Sequence, residues 1–293
     1  MLHPQYIVAR REAGMQPMTH SCARPESSCV ICHVWRRSDW HELEEAGRQL
    51  LGRGRHRKDY NSGEIVFAQG AENDGVYCVS GGTVGIRRLD HNGNSVLLGL
   101  AYPGDTIGYR SFLTGVEHKT SAEALGPSVL CHIDRATLSG LLAGSPALGL
   151  RFLKRSIGEL EHAHDMMFRQ ATLSNRHKLV HLLLVLAVKH GQRHANGSRS
   201  IELPVSRRDL ASMVGTRHET ISRIIGRLET DGIAHFSGRQ VTIPSMEALT
   251  AEIDACFPPD RRGACSAKPA LGRDPRLDAG SLAALRVVTA GPT

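Results

Sequence analysis

No stretch of this 293-residue chain approaches the roughly 18 consecutive apolar residues that a membrane-spanning helix needs. The longest apolar run, residues 182–188 (LLLVLAV), reads as a buried helix. The N-terminus carries basic residues but no apolar signal core, so export is not expected. These absences point to a cytoplasmic protein with no membrane partner. The chain also lacks a glycine-lysine phosphate loop, a serine elbow and an HExxH pair, the common marks of nucleotide hydrolysis, serine hydrolysis and zinc proteolysis. Most of its histidines fall on charged helices or loops, and they form no recognised catalytic spacing. An enzyme is therefore not expected; a catalytic β-roll is the remotest of the readings.

The charge balance favours a polyanionic partner. Lys and Arg total 36 against 29 Asp and Glu, a net charge of +7 with neutral histidines. That excess suits nucleic acid. The length is enough for two domains with real cores. Seven cysteines in so large and helix-rich a chain do not describe a disulfide scaffold. In a reducing compartment, clustered cysteines mean metal or redox chemistry.

The texture changes along the chain and predicts an α+β protein. Residues 1–45 form a flexible N-terminal segment with a cysteine cluster, SCARPESSCVICHVW. A short helix is expected over 38–52, with Ser38 as its cap and Leu43, Ala46 and Leu50 as its apolar face. From about 57 to 134, short apolar runs alternate with glycine-bearing turns, as in an antiparallel sandwich or barrel. Within them Asn92 and Gly93 suit a hairpin turn, and Val84 and Ile86 alternate with Gly85 and Arg87 as a half-buried strand should.

Residues 147–174 switch to helical period. Leu150, Leu153, Ile157, Leu160, His164, Met167 and Ala171 recur at steps of three and four, a narrow stripe that reads as a dimer interface. Packing on its own domain is the alternative. A second helix is expected over 175–190, then a polar loop over 191–200. Residues 175–248 hold the most specific pattern. SRRDLASMVG, a turn at Gly215, and TRHETISRIIGRLETDGI read as helix-turn-helix, and two strands around Ser237 and Gly238 follow as a wing. Thr216 and Glu219 have the spacing of a capping box. Residues 249–293, rich in Pro, Ala, Gly and Arg, are expected to be a disordered tail.

Glu219, Ser222 and Arg223 share one face of the second helix and are types that reach base edges in a major groove. A carboxylate accepts from cytosine N4, and a guanidinium donates twice to guanine O6 and N7. Arg217 and His218 are placed for phosphate or a flanking base. Arg207, Arg208, Arg227 and Arg239 are candidate phosphate contacts, which position without specifying sequence. The expected function is sequence-specific binding of double-stranded DNA.

On these segments the chain resembles the cyclic-AMP receptor/fumarate–nitrate reduction regulator (Crp/Fnr) superfamily over roughly residues 45–245. HETISRIIGRLETDGI is close to the family's recognition-helix signature. The resemblance implies a cyclic-nucleotide-binding-like β-roll over 46–146, a dimerisation helix over 147–174 and a C-terminal winged helix-turn-helix. It implies a homodimer that binds a palindrome and contacts RNA polymerase. The ExxSR arrangement implies that Glu219, Ser222 and Arg223 read a TTGAT-like half-site. The cyclic-nucleotide branch has Gly-Glu and Arg-Ser pairs in the roll. Here Gly108 and Tyr109, then His118, Lys119 and Thr120, stand in their place, so cAMP is not expected.

The oxygen-sensing branch holds a [4Fe–4S] cluster on four cysteines, three near the N-terminus and one in the roll. By that resemblance Cys131 is the internal ligand and Cys29 and Cys32 are the N-terminal pair. Many relatives carry a further cysteine downstream, where this chain has Trp40; Cys22 is then the third N-terminal candidate, with His33 a possible substitute. Thiolates suit zinc as well as iron, and the same cysteines could form a thiol switch. A regulator without a cofactor stays open too. Cys78 reads as a small core hydrophobe, and Cys256 and Cys265 as incidental.

Overall fold

The computed structural model describes residues 34–254; the expectations for 1–33 and 255–293 lie outside them. Between Arg55 and Asp134 the glycine-punctuated runs form eight strands: β1 (Arg55–Tyr60), β2 (Ile65–Phe67), β3 (Gly75–Gly81), β4 (Val84–Leu89), β5 (Ser95–Ala101), β6 (Thr106–Ile107), β7 (Ser121–Ala124) and β8 (Ser128–Asp134), with helix α2 (Tyr109–Thr114) before β7. They make two four-stranded antiparallel sheets, ordered β1–β8–β3–β6 and β2–β7–β4–β5. The sheets share one core: Tyr77 and Val79 of β3 and Leu130 of β8 meet Phe67, Val84, Ala122 and Ala124 of the second sheet. The expected sandwich is present.

Successive strand residues point to opposite faces. Val76 and Cys78 of β3, and Cys131 and Ile133 of β8, therefore face outward. Helices α1 (Glu45–Arg53), α3 (Arg135–Gly144) and α4 (Pro146–Thr172) cover them, through Leu51, Leu138, Leu141, Leu148 and Phe152, with Trp40 and Leu43 added from the segment before α1. The helix expected over 38–52 begins only at Glu45. Ser38 does not cap it: its hydroxyl donates to the Trp35 carbonyl (2.8 Å) and accepts from the Trp40 amide (3.4 Å), shaping an earlier turn. That turn drops Trp40 into the core at 2% exposure. Leu51, not Leu50, is the buried residue of α1.

Helix α4 has two unlike faces. Inward, Leu148 and Phe152 are buried, and Phe152 meets the edge of Trp40 at 5.8 Å between ring centroids. Arg155 pairs with Asp39, with Asp105 (2.9 Å) and with Glu159 (3.6 Å), while Arg151 pairs with Glu42 (2.6 Å). Outward, Leu150, Leu153, Ile157 and Leu160 are 49–56% exposed, and Met167 and Phe168 more so.

After α4 come α5 (Asn175–His190), β9 (Gln192–Arg193), β10 (Arg199–Glu202), α6 (Arg207–Val214), α7 (His218–Thr230), β11 (His235–Ser237), β12 (Gln240–Ile243) and α8 (Met246–Asp254). The expected wing is there, but its sheet is larger, ordered β11–β12–β10–β9. The polar loop over 191–200 is thus partly strand: β10 gains backbone pairing from β12, which needs no apolar alternation. The disordered tail expected from 249 is corrected as well. Leu249 is fully buried and the chain stays helical to Asp254.

The roll and this C-terminal domain are docked on each other. Leu97 of β5 lies in the same core as Leu210 and Val214 of α6, and its amide donates to Ser212 Oγ (3.0 Å). Arg87 of β4 joins Glu123 of β7 to Asp209 of α6, the latter at 2.7 Å. Burial by itself would raise the Asp209 carboxyl, but bonds from Arg87 and Ser206 outweigh it and hold it below the usual carboxylate range. Its contribution is then full above the unfolded value of about 4 and is lost as pH falls through the folded value. Arg87→Ala should cost roughly 3 kcal/mol by leaving the buried Asp209 and the half-buried Glu123 without their shared cation. Asp209→Asn should flatten the acid limb of stability in urea melts at descending pH; an acid limb identical to wild type would contradict this.

Candidate functional site

The element that presents the reading face is built from the turn outward. Helix α6 opens with a capping box that the sequence reading passed over. Ser206 Oγ accepts from the Asp209 amide (3.2 Å), and Asp209 accepts from the Ser206 amide (2.9 Å). Gly215 ends α6 at φ +75°, a left-handed conformation that favours glycine. Thr216 does not cap α7. The N-cap is Arg217, with no side-chain cap bond, and the Thr216 hydroxyl accepts from Asn175 Nδ2 (3.1 Å). With Gln170 Nε2 donating to the Met213 carbonyl (3.4 Å), that bond ties the turn to α4 and α5. Glu219 is left with no intramolecular partner among the described residues.

Helix α7 separates its faces cleanly. Ile221, Ile224, Ile225 and Leu228 are buried, as their spacing predicts. Arg217, His218, Glu219, Arg223 and Arg227 are exposed, and Ser222 is half-buried beside them. The hairpin of β11 and β12 turns at Gly238 (φ +63°) and carries Arg239 exposed at its tip. Glu229 Oε1 accepts from the Phe236 amide (3.0 Å), bracing that hairpin on α7.

Two sets of arginines contrast. Arg87, Arg155 and Arg176 each hold two or more carboxylates, Arg176 bridging Asp231 and Glu252 at 2.8 Å each. Arg207, Arg208, Arg217, Arg223, Arg227 and Arg239 are exposed and form no salt bridge among the described residues. Unneutralised guanidiniums on one domain create a positive field for a polyanion. The supports missed from sequence, Gln170, Asn175, Arg176 and Asp209, find partners far along the chain.

The cysteines are only partly described. Cys22, Cys29, Cys32 and His33 lie outside the described residues. Cys131 is buried on β8, directly across from Cys78 of β3. Both line a cavity of about 30 Å³ whose other walls include Val34, Trp35, Trp40 and Arg55. Arg55 Nη1 lies 3.9 Å from Cys131 Sγ, and Ser80 Oγ 3.5 Å from it. No group of three or more His, Cys, Asp or Glu able to hold a metal occurs among the described residues.

Of the residues standing in the family's nucleotide positions, Tyr109 and His118 turn inward. Tyr109 stacks on Phe152 (5.3 Å), and burial together with Glu159 pushes its phenol up to about 12. His118 is buried, stacked on Phe67 (4.0 Å), with its imidazole lowered by burial. Lys119 is exposed.

Comparison with known proteins agrees with this arrangement. A cyclic nucleotide-binding domain matches residues 57–145 and a Crp-like helix-turn-helix domain matches residues 177–252. The chain is similar to the fumarate and nitrate reduction regulatory protein of Salmonella typhimurium, 26% identical over 254 residues, which span 86% of this chain and 96% of that protein. The Escherichia coli K12 protein of the same name is 26% identical over 252 residues, 85% and 96% of the two chains. The solved structure of FixK2 from Bradyrhizobium japonicum matches with a TM-score of 0.59 and 26% identity, over 67% of this chain and 96% of that one. A Crp/Fnr-family transcriptional regulator from Thermus thermophilus shares the fold (TM-score 0.58, 21% identity, 68% and 98%). Among the described residues no helix is long and apolar enough to cross a membrane. With both domains matched in this order around an exposed reading helix, the chain belongs to the Crp/Fnr family of DNA-binding transcription regulators.

Proposed function

We propose that this regulator acts as a homodimer whose two α7 helices read a palindrome of TTGAT-like half-sites, gated by an oxygen- or redox-labile iron–sulfur cluster. The observation that carries the reading is the outer face of α7, where Glu219, Ser222 and Arg223 stand together with no internal salt bridge. In this reading Arg223 donates to guanine, Glu219 accepts from cytosine, and Ser222 sits between them. Arg207, Arg208, Arg217, His218, Arg227 and Arg239 contact phosphate and set the register. RNA polymerase is the protein partner on bound DNA.

The stripe on α4 supports the dimer. Four large apolar side chains about half exposed on one face are costly in water, and their steps of three and four match a two-helix seam. A second copy of this helix buries them and sets two reading helices about one DNA turn apart.

Of the proposed cluster ligands, Cys131 is the one among the described residues. Cys131 offers a buried sulfur with N–H and O–H groups beside it. Val34, which follows Cys32 by two residues in sequence, lines the Cys131 cavity. Cys29, Cys32 and Cys131 are three ligands, and Cys22 is the fourth that the sequence offers. A bound [4Fe–4S] cluster would supply an oxygen-labile crosslink between the N-terminal segment and the roll. The chain's own part is mechanical: residues 34–43 are held on α4 by Asp39, Trp40 and Glu42. The inward packing of Tyr109 and His118 supports a roll that does not take cAMP.

Arg223→Ala should cost about 1–3 kcal/mol of operator affinity and relax specificity at one base pair in fluorescence anisotropy. Arg239→Ala should weaken all sequences alike and lower the salt slope by about 1. The reverse pattern would overturn these assignments. Ile157→Glu, at an exposed position, should leave the fold intact and yield monomers in sedimentation, with loss of palindrome binding. A dimer that persists would refute the α4 seam.

A further inference from the structure

We propose that Cys78 and Cys131 form a peroxide-sensitive thiol pair: hydrogen peroxide closes a disulfide between β3 and β8, and a thiol reductant reopens it. The bridge joins two residues of the roll and does not depend on the iron–sulfur reading above.

The strand register makes the pair. Cys78 and Cys131 stand directly opposite each other on neighbouring antiparallel strands. Such partners have Cα atoms about 4.5 or 5.5 Å apart, within the roughly 4.4–6.8 Å that a disulfide spans. The two sulfurs are therefore within bridging reach as the strands stand. Both side chains lie on the outer face of the sheet, in the core beneath α3 and α4. Oxidation replaces two thiols by an uncharged S–S unit, so it buries no new charge there.

The surroundings admit a small oxidant and direct it. Both cysteines wall a cavity of about 30 Å³. One water needs roughly 10–15 Å³ measured in this way, so an uncharged molecule little larger than water, such as hydrogen peroxide, fits. Bulky disulfide oxidants do not reach cysteines that are 6% and 8% exposed. Two walls of the cavity, Trp35 and Arg55, are half-buried and so lead from it to solvent. Polar groups gather at Cys131: Arg55 Nη1 lies 3.9 Å and Ser80 Oγ 3.5 Å from its sulfur. Reactive cysteines sit in electropositive surroundings of this kind, which makes Cys131 the attacking sulfur. It takes one oxygen of the peroxide, releases the first water and becomes a sulfenic acid. The Cys78 sulfur then attacks the sulfenic sulfur, and that oxygen leaves as the second water. The two thiols give up two electrons and two protons, and the peroxide is reduced to two waters. While the bridge stands, the Cys131 sulfur is withdrawn from any metal group.

The test uses the full-length chain with Cys22, Cys29, Cys32, Cys256 and Cys265, all outside the described residues, replaced by Ser, beside the wild type. Each protein is chelated, reduced and checked for folding by a thermal melt. It is then exposed to hydrogen peroxide, denatured in N-ethylmaleimide, digested and read by mass spectrometry. The proposal expects both thiols to be lost to alkylation, a Cys78–Cys131 linked peptide pair from one chain, and full recovery with dithiothreitol. Adding Cys78→Ala to the five-serine chain should stop the reaction at a dimedone-reactive sulfenic acid on Cys131. A folded five-serine protein that keeps both thiols would overturn the proposal. So would wild-type protein in which Cys131 is oxidised or linked elsewhere while Cys78 is still alkylated. Iron and sulfide are measured separately on unchelated wild type: their absence would overturn the cluster reading alone.

Discussion

Asp39 and Trp40 hold the segment that follows the cysteine pair against the inner face of α4, and the arrangement of the roll, the long helix and the reading domain follows from that contact. Arg155 gathers Asp39, Asp105 and Glu159 around one guanidinium, and Arg151 takes Glu42. Arg155 is well buried with side-chain exposure of 21%, and Asp39 more so at 12%. Arg155 is the cation these three carboxylates share, so removing it would leave them uncompensated in a poor solvent for charge. The edge contact of Trp40 on Phe152 adds apolar area to the same strip. Rotation of α4 about its axis would break these contacts together. The inner clamp therefore fixes the direction in which Leu150, Leu153, Ile157 and Leu160 face outward.

A second contact carries this constraint to the reading domain. Arg87 and Leu97 join the second sheet to α6, and Gln170 and Asn175 tie the turn between α6 and α7 to the end of α4 and the start of α5. Asp209 serves twice, capping α6 and receiving Arg87. The position of α7 is thus set by polar contacts from three directions, while its outer face is left without internal bonds. Rigid placement from behind and unsatisfied polar groups in front are what sequence reading in a groove requires.

Much of this was legible from periodicity. The buried row Ile221, Ile224, Ile225 and Leu228 and the stripe on α4 follow from helical periodicity, and the bend at Gly215 from the left-handed turn that favours glycine. What stayed hidden depends on partners remote in sequence. Thr216 has the spacing of a cap, yet Asn175 takes its hydroxyl. Arg87 looks like one more solvent-facing strand residue until Asp209 meets it. Residues 191–200 look like a loop because β10 draws its stability from backbone pairing with β12. Cys78 alternates like any small core residue, and only the strand register sets it beside Cys131.

In the proposed dimer, the inner clamp of α4 controls pairing through its outer stripe. The direct measurement is the dimer dissociation constant, by sedimentation, of Asp39→Asn against wild type, with palindrome affinity followed in parallel. The substitution removes one charge from the Arg155 cluster and touches neither the stripe nor α7. The account predicts weaker pairing and a matching loss of palindrome binding, with thermal melts confirming a folded protein. A folded Asp39→Asn that pairs and binds as wild type would contradict it.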